Sequence, residues 1–217
     1  IIFVLILSLL SVFQFISFST PFSAIIPSLF HFVFIILDIF LLFYFLWQGF
    51  IKKEKLVSFF AILQIALFAI VLYIKPDIES NDIFVDRLST LMYLIINIVG
   101  GCIIIYALKY IESEEFSRFK KNAFIAMLFF FLAVMNFIVS TNNIEIFFLL
   151  FELTTLCSYI LIGIRNDELS IKNALKALWM NQIGGVAILI ALIFSITKCN
   201  TIYFDELILN SNGVYLL

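Results

Sequence analysis

The chain has 217 residues, 64% of them hydrophobic and 13% charged, whereas soluble globular proteins run at roughly 45–50% apolar and 25% charged. A net charge of -2 with no basic cluster excludes the electrostatic footprint of a nucleic-acid-binding protein. Cys102, Cys157 and Cys199 stand alone, with no CxxC or Cys/His spacing, which excludes a recognisable metal centre or disulfide framework.

The expected fold is an all-α, polytopic transmembrane helix bundle with about seven spans. A spanning helix needs about 20 mostly apolar residues, because the hydrocarbon core is about 30 Å thick and each residue rises about 1.5 Å. In chain order the qualifying segments are 1–18, 27–50, 56–74, 87–108, 122–140, 144–163 and 172–197. The first lacks the basic flank of a signal peptide and runs on into further hydrophobic helices. Pro27 suits the first turn of the second, where its missing N–H costs nothing. The short connections leave no room for a soluble domain. A start at Ile1 and a stop at Leu217 without a terminal signal lead us to expect a fragment of a longer protein.

Orientation follows from the lysines and arginines. Lys52, Lys53 and Lys55 follow the second helix, Lys109, Arg118, Lys120 and Lys121 the fourth, and Arg165 and Lys172 the sixth. Seven helices place all three connections on one side, expected to be the cytoplasmic side or its equivalent. The other side has Lys75, Arg87 and Lys198 with Asp77, Glu79, Asp82 and Asp86. These acids could hold a metal for a membrane-embedded transferase, but a solvated loop is the simpler reading.

Polar groups inside the spans mark candidate function, because an ionisable side chain at the bilayer centre costs a few kcal/mol or more and needs a partner. On the second span, His31 and Asp38 share a face but lie about 10 Å apart along the axis. His31 reads as a wetted interfacial residue, whereas Asp38 is deep. Glu152 lies roughly 12 Å inside the sixth span, too deep for a short carboxylate to reach water. Thr155, Tyr159 and Gly163 follow on its face at i+3, i+7 and i+11, as they would along a hydrated path. The alternative is a structural glutamate that clamps two helices. In the last span Lys176 sits about one turn inside, where it can either snorkel or serve a site. Asn181 and Gln182 then add amide dipoles, and Gly184 with Gly185 permits close helix approach or a bend.

Three stretches carry a family resemblance: "FVDRLSTLMYLIINIVGG" from Phe84, "FELTTLCSYILIG" with Glu152, and "NALKALWMNQIGG" with Lys176. Their order and spacing resemble the antiporter-like membrane subunits. That family comprises the subunit 5 (or L) type proteins of respiratory complex I, the large subunits of multisubunit sodium/proton antiporters, and the corresponding subunits of energy-converting hydrogenases. The resemblance covers about Phe84 to Leu207 and divides the chain into weakly matched N-terminal helices, 1–80, and an antiporter-like core, 81–217. It implies that Glu152 belongs to a charged half-channel and works with a lysine on a following broken helix, which would lie beyond Leu217. It implies that Lys176 is a secondary member of the polar chain; from their spacing and depth Thr155 and Tyr159 are expected on the ion path, with Asp38, Asn181 and Gln182 as accessory candidates. Complex I versions often carry Arg and Gly-Asp where this chain has Gln182 and Gly184–Gly185, and "ELTTLCS" and "MNQIGG" resemble the hydrogenase-type branch.

A carboxylate withdrawn from water holds its proton more tightly, and a nearby ammonium loosens that hold. A Glu and a Lys that approach and separate can therefore take up and release a proton near neutral pH. The expected function is a proton- or sodium-translocating, non-catalytic subunit of a complex I-related redox-driven pump, such as an NADH:quinone oxidoreductase or energy-converting hydrogenase. The alternatives are a subunit of a monovalent cation/proton antiporter and a structural membrane anchor. No cofactor and no metal are expected in this chain, so electron transfer would fall to a peripheral redox module beside other membrane subunits. The expected location is the bilayer of a bacterial or archaeal plasma membrane, or of an energy-transducing inner membrane.

Overall fold

The computed structural model describes residues 22–76 and 80–210. The span expected over 1–18 and the acids Asp77 and Glu79 lie outside these residues. The described chain is built from α1 (Ser28–Ile51), α2 (Lys55–Ile74), α3 (Arg87–Ser113), α4 (Arg118–Ile138), α5 (Ile144–Ile162), α6 (Glu168–Cys199) and α7 (Phe204–Asn210), with two short strands, β1 (Phe22–Ala24) and β2 (Ile83–Val85). The first six helices are each long and apolar enough to cross a membrane. They agree with the six expected spans that fall among the described residues.

Several helix ends extend beyond expectation. α3 continues to Ser113, α4 begins at Arg118 and α6 at Glu168, so Lys109, Arg118, Lys120, Lys121 and Lys172 are helical rather than in loops. Leaving the hydrocarbon does not end a helix, and Lys, Arg and Glu are good helix formers. What sets the ends is backbone chemistry. Asp86 caps α3 by accepting from the Ser89 N–H at 2.8 Å, and Asn143 caps α5 by accepting from the Glu145 N–H at 3.0 Å. Pro27 stands at the N-cap of α1 rather than inside its first turn. α6 stops where Asn200 turns left-handed at φ 53°, a conformation asparagine tolerates at helix ends.

Four helices form the centre. α6 packs on both α2 and α5, α1 packs on α2 and α5, and α4 then α3 extend the bundle outward from α5. Leu42, Phe68, Phe148, Leu189 and Leu192 are buried between the four, and Phe68 stacks on Phe148 with ring centroids 5.8 Å apart. The outlying pair is joined by a reciprocal amide contact in which Asn97 and Asn136 each donate to the other at 3.1 Å. Such interhelical amide bonds are worth about 0.6 kcal/mol each inside a membrane.

The two ends of the bundle differ. At one, Lys52, Lys120 and Asn166 surround a shared cavity, and Arg165 bonds Glu114 at 2.7 Å and Tyr110 at 2.9 Å. The three basic connections thus converge at one end, as the charge pattern required. At the other end β1 pairs antiparallel with β2, Ile83 bridges to Thr141, and Asn143 bridges to Tyr203.

Asp82 sits inside this lacing, and here the solvated-loop reading is corrected. It is 1% exposed and accepts from the Ile26 N–H at 2.9 Å, from the Asn143 side chain at 2.9 Å and from His31 Nε2 at 3.1 Å. His31 is therefore tied to a carboxylate rather than simply wetted, and Asp86 is spent as a cap. Among the described residues no group of His, Cys, Asp or Glu could hold a metal ion. Asp82→Ala would orphan three donors at once, each worth about 1–3 kcal/mol when left unpaired and buried. We expect a loss of about 2–4 kcal/mol, read as a large fall in Tm in mild detergent, with Asp82→Asn milder because it keeps one acceptor oxygen. An unchanged Tm would show that the lacing carries no stability.

Candidate ion-translocation site

Within the bundle, polar groups from three helices meet where hydrophobic packing would otherwise be continuous. Glu152 of α5 is fully buried. Its Oε1 accepts a 2.8 Å hydrogen bond from Nε2 of Gln64, on α2, and that same amide lies 3.4 Å from the Gln182 carbonyl of α6. Gln64 and Gln182 are also fully buried. Oε2 of Glu152, Oε1 of Gln64 and both terminal atoms of Gln182 have no hydrogen-bond partner.

Gly185 makes the meeting possible. A Cβ there would lie 2.2 Å from Gln64 Nε2 and 2.3 Å from Glu152 Oε1, so the carboxylate–amide pair occupies the space a larger residue would take. Gly184 receives Phe151 in the same way, at 2.9 Å from the ring. The diglycine therefore acts as a close-approach surface for α5 and α2, in keeping with small residues at membrane helix interfaces.

Asp38 of α1 is a further buried carboxylate. It is 1% exposed, and neither of its oxygens has a hydrogen-bond partner. Glu145 begins α5 about two turns from Glu152, or about 10 Å along the axis. It is 5% exposed and pairs with Lys75 at the end of α2.

Toward the basic end, Thr155 is buried and donates to the Phe151 carbonyl at 3.1 Å, while the Tyr159 hydroxyl donates to Gln48 Oε1 at 3.1 Å. Tyr159 lines the cavity of about 300 Å³ that Lys52, Lys120 and Asn166 share. The face that begins at Glu152 thus ends on a space open to the basic side. Asn181 is half-buried, and Lys176 is exposed on α6. Glu152, Thr155 and Tyr159 therefore share one face of α5, the Gln182 carbonyl meets the Gln64 amide that holds Glu152, Asp38 is buried on α1, and Lys176 is exposed on α6.

Sequence reasoning missed Gln64, Glu145 and Lys75. The available signal for Gln64 was an amide in the middle of "AILQIALFAI", where every neighbour is apolar.

The description "NADH-Ubiquinone oxidoreductase (complex I), chain 5 N-terminus" matches residues 80–120, and "NADH:quinone oxidoreductase/Mrp antiporter, TM" matches residues 140–216. Together the two cover more than half of the chain. It belongs to the antiporter-like membrane subunit family. Two of the family's three branches appear among the relatives that follow. The chain is 30% identical to the Na(+)/H(+) antiporter subunit A1 of Staphylococcus haemolyticus over 141 residues, 64% of this chain and 17% of that protein. It is 30% identical to NADH-quinone oxidoreductase subunit N of Campylobacter concisus over 182 residues, 78% of this chain and 36% of that protein. The A1 subunit of Staphylococcus aureus is 30% identical over 116 residues, 52% of this chain and 14% of that protein. The chain thus spans between about a sixth and about a third of the first two relatives' length. Glu152, Tyr159 and Gln182 lie inside the matched antiporter segment, whereas Asp38 and Gln64 lie before both matched segments.

Proposed function

We propose that this chain is a proton- or sodium-translocating subunit in which Glu152 carries the titratable charge at mid-membrane. The observation that carries the reading is a fully buried glutamate with one oxygen unpartnered, on a helix face that runs to a cavity at the basic end. A clamp would spend both carboxylate oxygens on donors; this glutamate spends one.

The groups at the site are ones that bind and release a cation. For the energy source, our first reading is a peripheral redox module acting through other membrane subunits, as in complex I-related pumps. The second is exchange against an opposing monovalent-cation gradient, favoured by the relatives named Na(+)/H(+) antiporter subunit A1. Lys176 would then meet a neighbouring subunit or the headgroup region from the outer face of α6.

The test is proton uptake by sealed vesicles that contain the assembled complex, compared with vesicles from a strain lacking this chain, started either by a redox substrate or by a sodium gradient. Uptake that depends on the chain supports translocation, and the trigger that works selects the energy source. A complex that assembles without the chain and moves ions at the wild-type rate would overturn the proposal.

A further inference from the structure

The cavity at the basic end is built from three distant parts of the chain. Lys52 follows α1, Lys120 stands in the first turn of α4, Asn166 follows the turn that ends α5, and all three line one space of about 300 Å³. The backbone fixes two of them. The Lys52 N–H donates to the Gln48 carbonyl at 3.0 Å, and the Gln48 side chain accepts from Tyr159, so the start of the Lys52 side chain is set beside the end of the Glu152 face. Asn166 is left-handed at φ 61°, and its N–H donates to the Gly163 carbonyl at 3.0 Å.

The charges around this cavity are unbalanced. Among the described residues the ion pairs are His31–Asp82, Lys75–Glu145 and Arg165–Glu114, so neither Lys52 nor Lys120 is matched by a carboxylate. Among the same residues no Asp or Glu lines the space. Lys120 is half-buried with its Nζ 5.7 Å from the Phe116 ring centroid, and an aromatic face attracts an ammonium without neutralising it. The remaining wall is apolar, formed by Ile160 of α5, Ile164 just beyond it and Ile171 of α6. Two ammonium groups and an amide above an isoleucine wall match an amphiphile with a negative head and an apolar tail. Basic pockets between transmembrane helices on the cytoplasmic side bind acidic lipid head groups in this way.

We propose that Lys52, Lys120 and Asn166 hold the phosphate of an acidic phospholipid whose acyl chains leave along Ile160, Ile164 and Ile171 into the bilayer. Inorganic phosphate shares the head-group chemistry but would leave the isoleucine wall in water, whereas a lipid covers it. Seated there, the phosphodiester places a negative charge beside Tyr159 and offsets the two ammonium groups that a cation would otherwise meet at the mouth of the path. Only this last consequence rests on the reading of Glu152 as the translocating carboxylate. The site itself is read out by lipid attachment, not by ion movement.

The test uses the assembled complex in nanodiscs that carry a trace of phosphatidylglycerol with a photoactivatable acyl chain, the label being mapped by peptide mass spectrometry. We expect label on the stretch 160–174 of the wild type, displaced by unlabelled phosphatidylglycerol and not by phosphatidylcholine. Each lysine near an acidic lipid surface is worth roughly fivefold. Lys52→Gln combined with Lys120→Gln should therefore lower the label roughly 30-fold at equal abundance. Lys52→Arg combined with Lys120→Arg keeps both charges and should keep the label. Undiminished label in the glutamine pair, or loss of label from both pairs alike, overturns the proposal. Equal displacement by phosphatidylcholine reduces the site to an apolar surface and overturns it too. Displacement by millimolar inorganic phosphate makes the occupant a free anion rather than a lipid, and the proposal fails.

Discussion

Glu152→Gln is expected to reach the membrane at wild-type abundance and to move almost no ions. Glutamine keeps the volume and retains Oε1 as the acceptor of the 2.8 Å bond from Gln64, so the link between α5 and α2 survives. The substitution replaces the unpartnered Oε2 with an amide NH₂ and removes the titratable proton. Because the site is fully buried, losing the charge also removes its desolvation cost, and stability is unchanged or improved. Proton transfer by a positioned group is typically worth 10²–10⁴-fold, so the loss should be at least about 100-fold. Glu152→Asp keeps the charge but withdraws it by one methylene and should be intermediate. The measurement is ion movement in sealed vesicles beside immunoblot abundance, with the redox or exchange partner reaction followed separately. Full movement at normal abundance would make Glu152 a clamp after all.

Gly185→Ala should be nearly as damaging, by a different route. Its Cβ would sit 2.2 Å from Gln64 Nε2 and 2.3 Å from Glu152 Oε1. Both are side-chain ends, but both belong to residues that are fully buried and held by one another. α6 must shift away from α2 and α5 or the Gln64–Glu152 bond must break. Overpacking of this kind costs about 1–3 kcal/mol, and any displacement of about 1 Å at a translocating group costs on the order of 100-fold in rate. Gly184→Ala meets only the Phe151 ring at 2.9 Å, and Phe151 is half-buried with room to turn, so it serves as the mild control. Normal ion movement in Gly185→Ala would mean that the close approach of α6 is dispensable.

The spans were legible because bilayer thickness imposes one length on every helix and hydropathy reads it directly. Glu152 was legible for the same reason, since an ionisable group within an apolar run contradicts its own solvent. Gln64 was not, because a neutral amide barely disturbs hydropathy and its partner lies 88 residues away, beyond any spacing rule. Lys75 and Glu145 each stand at a helix end, where a charge is unremarkable until the opposing end is known. Asp82 failed in the other direction. An aspartate in a polar connection reads as solvated, and only the return of Ile26, His31 and Asn143 from distant parts of the chain reveals that it is enclosed.

The lacing around Asp82 also dictates a sequence of events during synthesis. β1 waits for β2 some 60 residues later, Asp82 waits for Asn143, and Asn143 bridges to Tyr203. Helices inserted one after another into the bilayer can pair with their neighbours at once, yet this seal cannot close until α6 has crossed and residue 203 has emerged. Until then α1 and α2 have no α6 to pack against, and the buried acids of α1 and α5 lack their surround. Long-range contacts of this kind form late and leave the intermediate open to mispairing. The seal is thus a checkpoint: the newborn bundle remains loose at this rim until α6 and Tyr203 arrive.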